Sequence, residues 1–263
     1  MSRRKAFTLV ELLIVIGIIA LLISILLPAL NRAREQANMV KCQSNMRTLM
    51  LCVGMYESDY KGQVPFCNWD DNVDVTTNYG YGWLFAKITF RHGWGPGIDG
   101  AWGANPPPMG VKTGVLWPYC HEFGIYHCPL DYKYQLHTER MTSYLMDGSQ
   151  CGFGAVGASA NNTQNIPGCK IGQIRHPAES VLFWEAVEQS YANQGAITGA
   201  IWNDGSSRPN EELMANRHFK GGNVACVDGH VEFWDTDTWN FYAKDRVHFN
   251  RLWWSPFTRN GHG

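Results

Sequence analysis

RRKAFTLVELLIVIGIIALLISILLPAL, residues 3–30, decides the architecture of this chain. No residue between Leu12 and Asn31 is charged. A run of about 20 such residues spans roughly 30 Å as a helix, which is enough to cross the hydrocarbon core of a bilayer. Basic residues lie on both sides of the run, but Glu11 stands near its start, where a charge is costly in lipid. The segment therefore predicts a membrane helix that keeps one carboxylate.

Two ordinary kinds of membrane segment explain this stretch poorly. A cleaved secretory signal has a shorter apolar core, followed by small residues of the A-x-A type. Here the run passes Pro28 and continues as an amphipathic helix with Arg32 and Arg34. A plain single-pass anchor fits the length of the run, but it leaves Glu11 unexplained.

Residues 5–13, KAFTLVELL, resemble the class III signal of type IV pilins and type II secretion pseudopilins. The resemblance implies that residues 1–6 are a leader, which a prepilin peptidase removes on the cytoplasmic side by cutting between Ala6 and Phe7. It also implies N-methylation of Phe7. The family usually has glycine before the scissile bond, so we expect Ala6, another small residue, to slow cleavage without abolishing it.

Under this resemblance Glu11 becomes the fifth residue of the mature chain and acts in assembly. An unpaired carboxylate in lipid is either costly or protonated. The N-terminal amine of a neighbouring pilin-like subunit would relieve that cost, so Glu11 would favour the stacked state. The alternative is a Glu11 side chain that reaches back to the headgroups from an ordinary anchor.

Beyond the apolar run, the chain keeps the period of a helix. Apolar residues recur three or four positions apart in two stripes: Leu30, Ala33, Ala37 and Val40, then Cys42, Met46, Leu49, Val53, Tyr56 and Tyr60. We predict one helix from about Phe7 to about Tyr60, kinked at Pro28, with its apolar half projecting. Residues 7–30 form the transmembrane and assembly half, and residues 31–263 form a globular head that includes the rest of the helix.

Strand signals lie near the C-terminus. Residues 180–185 read as a short apolar strand, and residues 223–227 and 230–234 flank Asp228 and Gly229. An Asp-Gly pair between two β-rich segments predicts a hairpin, with a type I′ turn that has positive φ at both positions. The predicted fold class is therefore α+β: the amphipathic half of the helix packs on an antiparallel sheet, as in pilins.

Nine residues separate His218 from Asp228, and this H-x(9)-D-G pattern resembles the C-terminal signature of a pseudopilin-like group of planctomycetes and their relatives. Four further stretches resemble motifs of that group: residues 42–47, residues 126–131 with the pattern C-P-x-D, and, more loosely, residues 143–144 and 177–185. A catalytic His–Asp pair would need a nucleophile or third partner, and none stands out. We expect no enzyme activity and no cofactor; His218 would hold the hairpin against the sheet.

The chain has eight cysteines, and an exported head can keep disulfides. Two pairs could close short loops: Cys120 with Cys128, and Cys151 with Cys169. A bridge between Cys42 and Cys128 is the rival pairing. Cys52 lies off the buried stripe of the helix, and Cys226 reads as a buried thiol within a strand.

Metal binding has one weak signal in the sequence. No C-x-x-C pair is present, which removes the usual zinc signature. Asp70, Asn72 and Asp74 have the alternate spacing of a calcium loop, but Val75 and Tyr81 stand where such a loop needs glycine and glutamate. We therefore expect no metal.

Two functions remain. A net charge of −1 gives no electrostatic case for nucleic acid. The first hypothesis is a structural pseudopilin of a type II secretion or type IV pilus-like filament. It would be a single-pass protein of the inner membrane with its head in the periplasm, and its partners would be other subunits, the peptidase and the assembly platform.

The alternative is a membrane- or filament-tethered binding module that presents aromatic loops to polysaccharide or a secretion substrate. Solvent exposure of the tryptophans distinguishes the two.

Overall fold

The computed structural model describes residues 8–67, 82–84, 111–112, 114–131, 142–151, 169–186, 205–207, 209, 214–245 and 247–256. The predicted cleavage site at Ala6 and Phe7 lies outside the described residues. So does the calcium-type stretch at Asp70, Asn72 and Asp74.

One long helix, α1, spans Leu9–Asp59 and is continuous through Pro28. Thr8 caps its first turn, and Tyr60 caps its end. Lys61 and Gly62 then take positive φ values of 56° and 80°, and the amide of Gly62 donates to the carbonyl of Glu57 at 2.7 Å. This pattern terminates a helix by satisfying a carbonyl of its last turn. The predicted long helix is confirmed, and it begins two residues later than expected.

The two halves of α1 have different surroundings. Every residue from Thr8 to Arg34 is exposed, whereas the second half buries one face. The buried residues are Cys42, Asn45, Met46, Leu49, Met50, Cys52, Val53 and Tyr56. The first predicted stripe is exposed in the single chain, as is Tyr60. The placement of Cys52 off the buried face was wrong, since its side chain is 1% exposed.

Five strands form one sheet in the order β3-β1-β2-β4-β5. Their bounds are Tyr144–Asp147 (β1), Val181–Glu185 (β2), Ser206–Ser207 (β3), Gly221–Cys226 (β4) and Val231–Asp235 (β5). Strands β1, β2, β4 and β5 pair antiparallel, and β3 runs parallel to β1. The α+β class is therefore confirmed, with a mixed sheet in place of a purely antiparallel one.

The sheet lies between two layers. Its first face packs on α1, next to a short helix α2 at Trp117–Cys120 and a 3₁₀ turn at Phe123–Tyr126. Its second face packs on α3, Thr236–Lys244, and on the segment that holds Trp253. A register irregularity in β2 between Val181 and Phe183 lets both Leu182 and Phe183 join the α1 side. Trp184 then faces α3, and Glu185 faces α1.

The predicted hairpin is confirmed, but its turn differs from the prediction. Strands β4 and β5 are paired from Gly221 with Asp235 to Ala225 with Val231. Cys226 donates its amide to the carbonyl of His230 at 2.9 Å, which closes a three-residue loop. Gly229 has φ +93°, whereas Asp228 does not have a positive φ. The type I′ assignment is therefore wrong, because a three-residue loop needs only one left-handed position.

The disulfide in the described part of the chain joins Cys52 to Cys120, with Cα atoms 6.1 Å apart. The predicted bridge between Cys120 and Cys128 is wrong: Cys128 is a buried free thiol. α1 and α2 pack together, so the partner of Cys120 comes from the helix and not from the adjacent loop. Cys169 is buried, and the side chain of Cys151 lies outside the described residues.

Replacing Gly229 with Val should lower the free energy of unfolding by about 1–2 kcal/mol, because a β-branched residue resists a left-handed backbone. A Cβ at Gly229 would lie 4.0 Å from Cβ of Met50, an ordinary contact, so the loss would come from the backbone and not from a clash. The measurement is urea unfolding of the purified chain in detergent. Gly172→Val is the matched control, since Gly172 has open space and no positive φ. Equal midpoints for the two variants would contradict the left-handed turn.

Replacing Cys52 and Cys120 together with alanine should lower the free energy of unfolding by about 4 kcal/mol in the chain-entropy model, because the bridge closes a loop of 68 residues. The check is urea unfolding without reductant, with reduced wild-type protein alongside. The oxidised wild type should unfold at a higher urea concentration than either. A double variant with the wild-type midpoint would show that the bridge does not form.

Candidate functional site

Glu11 is part of a cap at the start of α1. Its Oε2 accepts hydrogen bonds from the amide and the hydroxyl of Thr8, at 2.9 Å each. In return, the Thr8 hydroxyl oxygen accepts from the amide of Glu11 at 3.3 Å. This reciprocal arrangement satisfies amides that a helix start leaves without partners. In the single chain, the carboxylate is therefore held by its own helix.

The first half of α1 exposes a continuous apolar surface. Within the described residues, α1 is the one helix long and apolar enough to cross a membrane, and none of its apolar stretch is buried. Side chains such as Leu9, Ile25 and Leu26 are more than 60% exposed. An apolar surface of this size needs a cover of lipid or of other protein. By length and composition, this helix suits a single membrane anchor.

A second cluster lies deep between α1 and the sheet. The side chains of Cys42, Cys128, Glu185 and His218 are all buried, and one donor atom of each lies within 4.8 Å of the others. The Sγ of Cys42 is 2.8 Å from Oε1 of Glu185. The Nε2 of His218 is 3.1 Å from the same Oε1 and 3.3 Å from Sγ of Cys128.

The helix also fixes the segment that carries Cys128. The side-chain amide of Asn45 donates to the carbonyls of Gly124 and His127, at 3.1 and 2.9 Å. The amide of Cys128 donates to the hydroxyl of Ser143 at 3.0 Å. These contacts fasten the residues before Cys128 to α1 and Cys128 itself to the start of β1.

Glu185 is oriented by its second oxygen. Oε2 accepts from the backbone amide of Asn223 at 2.7 Å and from its side-chain amide at 3.1 Å. The side-chain oxygen of Asn223 in turn accepts from Gln43 of α1 at 3.0 Å. With Oε2 held by β4, Oε1 is directed at the two thiols and the imidazole.

His218 is placed by a tight turn. Phe219 and Lys220 have φ values of 44° and 69°, and His218 and Gly221 exchange two backbone hydrogen bonds across them. This is the left-handed pair of a two-residue hairpin turn, formed without glycine, and such positions are strained. The amide of Phe219 donates to Oε1 of Glu35 at 3.1 Å, so α1 helps to hold the turn.

An ion pair, buried on its Asp131 side, joins the Cys128 segment to the His218 segment. Asp131 accepts from Arg217 at 3.1 Å and from the Ser143 hydroxyl at 2.6 Å. The Asp131 side chain is fully buried. Because Asp131 belongs to the C-P-x-D stretch and Arg217 precedes His218, the pair fixes two of the four cluster residues relative to each other.

Charges in the cluster are coupled. Burial raises the pKa of Glu185, but its hydrogen bond to His218 and the charge there outweigh burial and lower that pKa. Burial lowers the pKa of His218, yet its contacts with Cys128 and Glu185 raise it to about 9. Burial raises the pKa of Cys42 well above its usual value. The hydrogen bond from Cys42 lowers the pKa of Cys128.

The arrangement does not have the geometry of a catalytic triad. In a triad, the imidazole uses one ring nitrogen for the nucleophile and the other for the carboxylate. Here Cys128 and Glu185 both contact Nε2 of His218. All four side chains are also buried. What the cluster offers is four donor atoms around one point.

The H-x(9)-D-G residues separate in space. His218 joins the cluster, whereas Asp228 and Gly229 form the loop between β4 and β5. Oδ1 of Asp228 accepts from the amide of His230 at 3.1 Å and lies 2.6 Å from its ring. The sequence did not predict that Cys42, Cys128 and Glu185 contact His218. The available signal was that four stretches resembling family motifs each contain one of these residues.

Comparison with known proteins identifies the N-terminus. Residues 1–27 match the prokaryotic N-terminal methylation motif. No curated protein and no solved structure matches the chain. The matched motif is a type IV pilin-like signal. It implies that prepilin peptidase processes the chain and that the chain assembles with other pilin subunits. Together with the exposed helix, it indicates a membrane-anchored structural subunit.

Proposed function

We propose that this chain is a pseudopilin, a structural subunit of a type II secretion or type IV pilus-like filament. The observation that carries the proposal is the continuity of α1: the same helix that begins in the methylation motif ends packed on the sheet. Residues 1–6 would be the leader, residues 7–30 the membrane and assembly segment, and residues 31–263 the head.

The exposed half of α1 supports assembly through the helix. From Thr8 to Arg34 it measures about 40 Å at 1.5 Å per residue, which exceeds the hydrocarbon core of a bilayer. Arg3, Arg4 and Lys5 precede it and favour a cytoplasmic N-terminus. The head would then lie in the periplasm, anchored in the inner membrane. In a filament, helices of neighbouring subunits would replace the lipid.

Glu11 would gain a second partner on assembly. In the single chain, Oε2 receives both hydrogen bonds from Thr8. A carboxylate has a second oxygen that can accept from an incoming donor. The N-terminal amine of a neighbouring Phe7 would be such a donor, and its positive charge would offset the cost of a carboxylate among apolar helices.

The alternative function, a binding module with aromatic loops, requires exposed aromatic side chains. Of the tryptophans in the described residues, one is partly buried, Trp117, and the others are buried: Trp83, Trp184, Trp234, Trp239, Trp253 and Trp254. They pack in the two cores on either side of the sheet. Trp94 and Trp102 lie outside the described residues. The described tryptophans therefore favour the structural subunit.

Co-expression with a prepilin peptidase should shorten the chain by the six residues before Phe7. N-terminal sequencing should read Phe-Thr-Leu-Val-Glu, with a methylated first residue. Ala6→Gly should be processed faster, because glycine is the usual residue before the scissile bond in the family that the motif resembles. An intact Met1, or a cut beyond Leu27, would refute this processing.

Two variants separate the charge of Glu11 from its capping role. Glu11→Gln keeps a side chain that can cap Thr8 but removes the charge, whereas Glu11→Leu removes both. Both should insert in the membrane at least as well as wild type, because a charge in lipid is costly. Both should be cleaved. Cross-linked multimers should fall several-fold in both variants, because the partner amine loses its counter-charge.

The measurement compares membrane insertion, processing and multimer yield in the same cells. Wild-type multimers from Glu11→Gln, with loss only in Glu11→Leu, would assign Glu11 to capping alone. Wild-type multimers from both variants would leave Glu11 as a residue of an ordinary anchor.

A further inference from the structure

The buried cluster has the donor set of a metal site. Cys42, Cys128, Glu185 and His218 offer two sulfurs, one carboxylate oxygen and one imidazole nitrogen around a common point. Two thiolates with an imidazole and a carboxylate suit a divalent ion that accepts both soft and hard ligands in tetrahedral geometry, and Zn²⁺ is such an ion. The four ligands come from four distant segments, which explains the absence of a C-x-x-C pattern.

Hydrogen bonding alone satisfies this cluster incompletely. The Nε2 of His218 faces both Cys128 and Glu185. With its hydrogen, the ring nitrogen can donate well to only one of them; without it, the nitrogen can accept from the Cys128 thiol but then faces a carboxylate oxygen of Glu185 that also only accepts. A cation at the common point removes the conflict, because thiolate, carboxylate and imidazole lone pairs can all be directed at it.

Neighbouring side chains orient two of the four ligands, Glu185 and Cys42. Asn223 holds the second oxygen of Glu185 with two hydrogen bonds. The hydroxyl of Tyr144 lies 3.2 Å from Sγ of Cys42, where it can donate to a thiolate. Contacts of this kind fix ligand geometry and contribute strongly to metal affinity. Complete burial with four protein ligands is the pattern of structural zinc sites, which have no open position.

A second group of possible ligands, Cys226, His230 and Glu232, does not have the features of a buried structural metal site. The guanidinium of Arg251 lies 3.4 Å from Sγ of Cys226 and hydrogen-bonds Glu232. A positive charge therefore already occupies the position of a cation. The His230 side chain is also 41% exposed. This group makes Cys226 a suitable control thiol.

We propose that Cys42, Cys128, Glu185 and His218 bind one structural Zn²⁺ that fastens α1 to the sheet. The ion would link the helix, the segment after the 3₁₀ turn at Phe123–Tyr126, the end of β2 and the turn before β4. A disulfide between Cys42 and Cys128 is the competing state. It would use both sulfurs and leave the buried Glu185 paired with His218 alone.

The test uses the full-length chain, purified in detergent without chelators or added metal. Mass spectrometry gives the metal content, and alkylation of the denatured, unreduced chain gives the state of each cysteine. We expect about one zinc per chain and alkylation of both Cys42 and Cys128. A metal-free chain with a peptide linking Cys42 to Cys128 would overturn the proposal. So would a chain with both thiols free that binds no added Zn²⁺.

Cobalt gives a readout that needs no variant. Replacing the zinc of the wild-type chain with Co²⁺ should produce the visible absorption of tetrahedral cobalt and a sulfur-to-cobalt charge-transfer band. Absence of both bands from a chain that retains Co²⁺ would overturn the assignment of these ligands.

Matched variants then locate the ion. Cys128→Ser should lower the zinc content at least ten-fold, whereas Cys226→Ser, at another buried thiol, should leave it unchanged. Equal zinc in both variants would place the metal elsewhere and refute the proposal. If Cys128→Ser does not fold, the alkylation pattern and the cobalt spectrum of the wild type decide the question.

Discussion

The head depends on the packing of one face of α1 against the sheet. The strands contain only two to six residues, and a sheet of such short strands is marginal without a layer to pack on. The helix supplies that layer between Cys42 and Tyr56. It also binds the loop before Cys128 through Asn45, and the turn after His218 through Glu35. The sheet, this loop and this turn are thus all positioned by contacts with one helix.

The parts of the fold that sequence predicted are those specified by local patterns. The extent of α1 follows from its apolar period and from the Lys61-Gly62 stop, and the hairpin follows from two short β-rich stretches. Strands β1 and β3 have four and two residues, too few to show a period. The Cys52–Cys120 bond and the buried cluster join residues far apart in the chain, and one sequence does not reveal such contacts.

The turn geometry was also predicted wrongly, because contacts from other parts of the chain decide which turn has two left-handed residues. Asp228 and Gly229 have the residues of a type I′ turn, yet the left-handed pair is Phe219 and Lys220. Their strain is tolerated because the backbone of His218 and Gly221 is paired and Glu35 binds the turn. The nine residues between His218 and Asp228 then have a structural meaning: they are the two residues of the turn, the six of strand β4, and Val227, the first residue of the loop that holds Asp228.

The Cys52–Cys120 bond has a mechanical consequence. In the filament proposed here, traction along the axis would load α1 in shear against its own head. Cys42 and Cys52 lie ten residues apart on the helix, a distance of about 15 Å along its axis. The buried cluster, at Cys42, is nearer the membrane end of the helix and would bear the force first. The covalent bond, at Cys52, is farther along the helix. A force large enough to break the non-covalent contacts would therefore next act on the Cys52–Cys120 disulfide, which can extend very little before it breaks.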